Sequence, residues 1–294
     1  MANSVNTNLM SLNTQRNLYA SNLGLSTSIQ RLSSGLRVNS AKDDAAGLAI
    51  AERMNAQIRG SNVAIRNAND GISLAQTAEG ALGKIGDSLQ RMRELAVQSA
   101  NATNSSDDRT NLQAEFKQLQ DEIGRVVNGT TFNSTKLFTG SSAFDFQVGA
   151  GTTSNDTVSI ARSKLSGGTA GTSGSLSSAT GTDAVIATIT GSASAITGST
   201  AVAAKAAIKD IDVALDKLNA ERATYGAAQN RFESVISTLQ ISVENISAAR
   251  SRIMDTDFAA ETANLTRTQI LTQAGTAMLA QANQAPQNVL SLLR

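Results

Sequence analysis

Seven apolar residues recur at a strict seven-residue interval toward the C-terminal end: Ile211, Leu218, Tyr225, Phe232, Leu239, Ile246 and Ile253. A repeat that regular lays one continuous apolar seam along a slightly under-wound helix, which turns twice in every seven residues. Such a helix is one strand of a coiled coil and needs partners. Each seam side chain contributes about 1.5–3 kcal/mol on burial, whereas ordering the chain costs about 1–2 kcal/mol at every residue, seam or not.

A partner is written at the other end of the chain. Ile65, Ala68, Ile72, Ala75, Ala78, Leu82, Ile85, Leu89, Met92 and Ala96 step by three and four, the spacing of one helical face. Between the two seams, residues 165–204 are mostly Gly, Ser, Thr and Ala, with Asp183 their single charge. The pattern predicts a chain that runs out along one helix, makes a low-complexity excursion and returns along another, placing both termini at one end of a rod. It reads as a building block and not as an enzyme.

Composition narrows the function further. With 25 Lys and Arg against 24 Asp and Glu, the net charge of +1 gives no electrostatic footprint for nucleic acid or an anionic membrane. The chain has no Cys, hence no disulfide or thiolate metal site, and no His, the commonest general base and metal ligand. No metal or other cofactor is expected. No apolar run reaches 18 residues, so no membrane insertion is expected, and the first residues lack the basic start and apolar core of a secretory signal.

Along the chain, Val5, Leu9, Leu12, Leu25, Ile29, Leu32 and Leu36 form a first amphipathic stretch with few charges, of a kind that orders only against neighbours. Ser33-Ser34-Gly35 interrupts it. A long helix is expected from about Asp43 to Ser99, with Ser40 or Asp43 as its N-cap. A turn over 101–108 leads to a second helix through Leu112, Phe116, Leu119, Ile123 and Val127, closed at Asn128-Gly129 by a left-handed cap. From Thr131 to Ala161 the period falls to two: Phe144, Phe146 and Val148, then Val158 and Ile160, predict a β-hairpin. Weak strand character appears around 185–189. The returning helix is expected over Ala203–Met254, and a last charge-poor helix over Phe258–Arg294 carries Leu271, Ala274, Met278, Ala282, Ala285, Val289 and Leu292 as its apolar stripe. The fold class is therefore mainly α: a long antiparallel helical rod or coiled coil built from both chain ends, with a β-hairpin and a small outer insert. The expected domains are 1–42 with 256–294, 43–164 with 204–255, and the insert 165–203.

Three segments resemble one family. Leu32-Ser-Ser-Gly-Leu-Arg-Val-Asn-Ser-Ala-Lys-Asp-Asp-Ala-Ala-Gly-Leu-Ala-Ile50, Leu89-Gln-Arg-Met-Arg-Glu-Leu-Ala-Val-Gln98 and Gln284-Ala-Pro-Gln-Asn-Val-Leu-Ser-Leu-Leu-Arg294 are similar to bacterial flagellin, over about 1–160 and 204–294. The resemblance implies a structural subunit that is exported unfolded through the flagellar type III apparatus and polymerises into the extracellular filament for motility. It implies that the end segments pair into the innermost coiled coil, with the seamed helices and hairpin in the next shell. The partners it implies are other flagellin subunits, a flagellar export chaperone, and filament cap and junction proteins, together with the host Toll-like and inflammasome receptors that sense the family. By the same resemblance Arg91, Leu95 and Glu115 are candidates for Toll-like receptor recognition, and Leu290, Leu292 and Leu293 for inflammasome recognition and assembly. The plainer reading pairs Arg91 with Glu115 across two helices, packs Leu95, and lines the inner coil with the three leucines. The alternatives are a hook-filament junction protein, which shares the end coiled coils, and a helical secreted effector.

Other residue groups are weaker. Asp43/Asp44, Asp107/Asp108 and Asp255/Asp257 could hold a cation but stand where helices begin or end, so capping is the expected role. Gly80-Ala-Leu-Gly83-Lys84 lacks the phosphate-loop spacing and follows no strand; it reads as helix interior, its small residues admitting a close neighbour.

Overall fold

The computed structural model describes residues 7–140, 142–161, 165, 195–198 and 201–291, with side chains as far as 284. The strand character around 185–189 and the side chains of Leu290, Leu292 and Leu293 lie outside the described residues. In chain order the elements are α1 (Leu9–Ser34), α2 (Ala45–Ser99), α3 (Ser106–Gly129), β1 (Thr131–Phe132), β2 (Thr135–Lys136), β3 (Phe144–Gln147), β4 (Thr157–Ile160), α4 (Val202–Met254) and α5 (Phe258–Ser291). The described chain divides into two compact units, Met1–Arg59 with Val243–Arg294, and Gly60–Ser242. The division falls inside α2 and α4.

The unit Gly60–Ser242 holds the main core. One side comes from α2, where Ala68, Ala75, Ala78, Leu82, Ile85, Leu89, Met92 and Ala96 are all fully buried. α4 runs antiparallel to it: Arg93 Nε donates to Asp212 Oδ1 at 2.6 Å, Leu218 packs on Gly86, and Gln229 Nε2 donates to Glu79 Oε2 at 3.1 Å. α3 closes the third side with Phe116, Ile123 and Val127. Its start is a capping box, in which Asp108 N donates to Ser105 Oγ at 3.2 Å and Ser105 N donates to Asp108 Oδ2 at 3.0 Å.

The period-two region forms two hairpins and not one. β1 pairs with β2 across Asn133 and Ser134, both at positive φ (46° and 64°), the conformation a two-residue turn demands. β3 pairs with β4 in the register Phe144↔Ile160 and Phe146↔Val158, which puts Val158 and Ile160 in the core and Phe146 edge-on to Phe232, ring centroids 5.4 Å apart. α3 does not end in a left-handed cap: Gly129 is its last helical residue and Thr130 is extended, its N–H bonded to Val126 O at 3.0 Å. The chain needs no reversal there, because Thr130 leads straight into β1.

In the unit Met1–Arg59 with Val243–Arg294, α1 ends at Gly35 (φ 72°) and the chain crosses to the end of α4 through Arg37 N–H to Met254 O, 2.6 Å, and Thr256 N–H to Gly35 O, 3.0 Å. Val38, Ala51 and Met254 form a small cluster beside this crossing. The N-cap of α2 is Asp44 and neither Ser40 nor Asp43: Gly47 N donates to Asp44 Oδ1 at 2.8 Å, while Asp43 Oδ2 accepts from the N–H groups of Asn39 and Ser40 and so closes the preceding turn.

Candidate functional site

α1 and α5 pack antiparallel, and the fully buried residues between them are small or polar. Ser11 and Ser28 are the buried residues of α1 and Glu261 and Ala282 those of α5, while Leu18 lies over Gly275, 3.1 Å from where a Cβ would stand. Polar bonds fix the register: Asn8 Nδ2 donates to Ala282 O at 2.7 Å, Ser11 Oγ to Asn283 Oδ1 at 2.8 Å, and Arg31 stands 3.8 Å from Glu261. Asp257 Oδ1 caps α5 by accepting from Ala259 and Ala260 N–H.

Ten large apolar side chains of this pair are outside, while Leu18, Leu25, Leu32, Leu265 and Leu279 are half-buried. Leu9, Met10, Leu12, Tyr19, Leu23 and Ile29 on α1, and Phe258, Ile270, Leu271 and Met278 on α5, are each 49–70% exposed. Leu271 and Met278, assigned by their spacing to one stripe with Ala282, do not share its burial: of the three, Ala282 alone is buried. A face this apolar is unusual for a chain that stays single in water.

The heptad seam is graded. Ile211, Leu218, Tyr225 and Phe232 are buried, whereas Leu239, Ile246 and Ile253 are half-buried. α3 and the β3–β4 hairpin supply further walls to the core that holds the first four. Ile253 packs on the small cluster of Val38, Ala51 and Met254, with Leu36 and Leu48 also against it.

Arg91 and Glu115 meet on the surface. Arg91 Nε donates to Glu115 Oε1 at 2.9 Å and Nη1 to Glu94 Oε2 at 2.8 Å, and these bonds, Glu94's first, push the guanidinium's pKa up. Leu95 is elsewhere: at 1% exposure it belongs to the core, because its step along α2 matches Leu89 and Met92. It offers no surface in this structure.

Of the acidic pairs, Asp44, Asp108 and Asp257 cap helices, and Asp255 accepts from Ser251 Oγ at 2.6 Å. Among the described residues no group of three or more His, Cys, Asp or Glu is placed to hold a metal, and no helix is long and apolar enough to cross a membrane. Gly80 and Gly83 lie inside α2 and face open space; the close approaches along α2 are at Gly47, Gly60, Gly71 and Gly86 instead.

Sequence reasoning missed a buried cation. Arg109, 4% exposed, donates through Nε to Ser99 O at 3.0 Å, through Nη1 to Gly198 O at 2.9 Å and through Nη2 to Asn101 O at 3.3 Å. Ser99 Oγ donates to Ile196 O at 2.7 Å, and Ile196 N donates to Gln113 Oε1 at 2.7 Å. The two stems of the 165–203 segment thus carry core residues, Leu165 and Ile196, both at 2% exposure or less. Low in large apolar residues as the segment is, these two belong to the main core. No local signal marks Arg109, since its partners are backbone carbonyls.

Residues 5–143 match the family model described as the bacterial flagellin N-terminal helical region, and 208–293 match the C-terminal helical region. The chain belongs to the bacterial flagellin family. It is 45% identical to a flagellin of Halalkalibacterium halodurans over 291 residues, 99% of both chains. It is 42% identical to the flagellar filament 33 kDa core protein of Treponema phagedenis over 290 residues, again 99% of both. A Vibrio parahaemolyticus structure described as a flagellar hook-associated protein covers 72% of this chain and 100% of its own, with a TM-score of 0.54 and 17% identity; that likeness shows a shared fold alone. The chain is a structural subunit of the flagellar filament and not an enzyme.

Proposed function

We propose that the outward apolar face of the α1–α5 pair is the surface through which copies of this chain assemble. The observation that carries it is the burial pattern of the pair: its fully buried residues are small or polar, and ten large apolar side chains stand outside. Leaving such side chains in water forgoes about 25 cal/mol for every Å² that a neighbouring copy would cover. A shallow groove lined by Ala263, Thr266, Arg267, Ile270 and Leu271 opens on the same face. A Leu12→Ser/Leu23→Ser/Ile270→Ser variant is expected to keep its helix content and melting behaviour yet form no filaments by electron microscopy or sedimentation. Normal filaments from that variant would overturn the assignment.

Export of the chain unfolded, assisted by a chaperone that covers the C-terminal segment, suits a terminal pair with so little core of its own. Filament cap and junction proteins would meet the same apolar face. The exposed Arg91–Glu115 pair supports a recognition surface for a Toll-like receptor, with Leu95 acting beneath it by packing. Charge reversal at Arg91 and Glu115 together, with receptor activation as the readout, tests that role apart from assembly. For the terminal leucines Leu290, Leu292 and Leu293 the inflammasome role rests on the family resemblance alone, and their truncation tests it.

A further inference from the structure

We propose that Met10 and Met278 form an oxidation-sensitive pair on the assembly face, where conversion to the sulfoxide in the unassembled chain blocks polymerisation and its reduction restores it; this rests on the surface assigned above. The chain has six methionines. Met92 and Met254 are buried, at 0% and 6% exposure, and Met54 is half-buried. Met10 and Met278 are 65% and 57% exposed, and both lie among the outward apolar residues of α1 and α5. Register brings them to one stretch of the pair: Ser11 bonds Asn283 and Leu18 lies over Gly275, so Met278 falls within the α5 segment that faces residues 11–18.

The chemistry needs only a small peroxide. A sulfur lone pair attacks one oxygen of hydrogen peroxide, the S–O bond forms as the O–O bond breaks, and after proton transfer water leaves; sulfur loses two electrons and the peroxide gains them. The product is a polar, chiral side chain where an apolar one is needed, and methionine sulfoxide reductases reverse it. Once copies cover the face the same thioethers are shielded, so sensitivity is confined to the chain before assembly.

The test treats soluble full-length chain with dilute hydrogen peroxide, maps oxidation by peptide mass spectrometry, and measures the critical concentration for polymerisation. Met10 and Met278 are expected to oxidise before Met54, Met92 and Met254, raising the critical concentration by about tenfold or more. Treatment with both methionine sulfoxide reductases is expected to restore it, and preformed filaments to be protected at the two positions. The critical concentration of a Met10→Leu/Met278→Leu variant is expected to be the same with and without peroxide treatment. Equal inhibition of that variant, or unchanged polymerisation of wild-type chain oxidised at both sites, overturns the proposal. The surface assignment fails separately, through filaments formed by the untreated Leu12→Ser/Leu23→Ser/Ile270→Ser variant.

Discussion

Gly71 of α2 presents bare backbone to the ring of Phe232 on α4: a Cβ at Gly71 would lie 2.7 Å from Phe232 Cζ. Phe232 is fully buried and already held edge-on by Phe146, so its ring has nowhere to retreat. Gly71→Ala should therefore destabilise by about 1–3 kcal/mol, through overpacking, in spite of alanine's better helix propensity. Phe232→Ala should cost about 3–5 kcal/mol by opening a cavity. The two must couple: in a Phe232→Leu background Gly71→Ala should cost measurably less, which a double-mutant cycle in urea reads directly. Strict additivity would mean that the two residues do not touch.

How far this was legible in the sequence depends on who the partners are. The seam positions are periodic, and the periodicity marks Phe232 and its neighbours as one face. Nothing local says that the face at Gly71 must be bare, because that requirement comes from a ring 161 residues away in the chain. Burial also fades from Phe232 to Ile253 although the repeat does not, since periodicity records which side a residue is on and not how many walls surround it. At the terminal pair the same logic misleads. The large apolar residues of α1 and α5 look like a seam, but the narrow contact is made by Ser11, Ser28 and Gly275, and a single chain's sequence does not distinguish a face kept for its own helix from one kept for another copy.

The anchoring of the low-complexity segment gives a second prediction. Replacing residues 166–194 with a short Gly/Ser linker should leave stability nearly unchanged, since closure entropy moves by only about 0.6 kcal/mol per doubling of loop length. Extending the deletion to Gly198 removes Ile196 and one acceptor of Arg109, and Ile196→Ala alone should cost about 2–5 kcal/mol. Arg109→Leu takes the guanidinium donors from Ser99 O and Gly198 O, and from Asn101 O, which keeps the Asn104 N–H, and should cost about 3 kcal/mol. Thermal or urea melts of the four variants check the order.

Acid should weaken the fold through the carboxylates that close its caps and turns. Asp108, Asp43 and Asp156 have pKa values pulled below the ordinary 3.8, the first chiefly by the Ser105 hydroxyl, the second by the Asn39 N–H and the third by the Thr153 hydroxyl. A depressed folded pKa means stability that is complete above the unfolded value and is lost as pH falls through the folded one. These groups should therefore leave urea midpoints flat from neutral pH to about pH 5 and lower them below about pH 4. An Asp43→Asn/Asp108→Asn/Asp156→Asn variant should start less stable and show a shallower acid limb. An unchanged limb would assign the acid sensitivity to other groups.

The terminal pair should report assembly by its protection. In the unassembled chain α1 and α5 bury little beyond Ser11, Ser28, Glu261 and Ala282, so the pair has a low local opening free energy and a protease should cut it first, leaving a resistant fragment containing Gly60–Ser242. Polymerisation covers Leu12, Leu23 and Ile270 and adds the free energy of that contact to local opening, so the same sites should be cut far more slowly in filaments. Removing Val289 to Arg294 should abolish filaments while leaving the resistant fragment's melt unchanged, because that unit holds the main core and draws no residue from the tail. Equal cleavage of α1 and α5 in monomer and filament would falsify the assembly-face assignment, since a surface buried between copies cannot remain as open to a protease as one left in water.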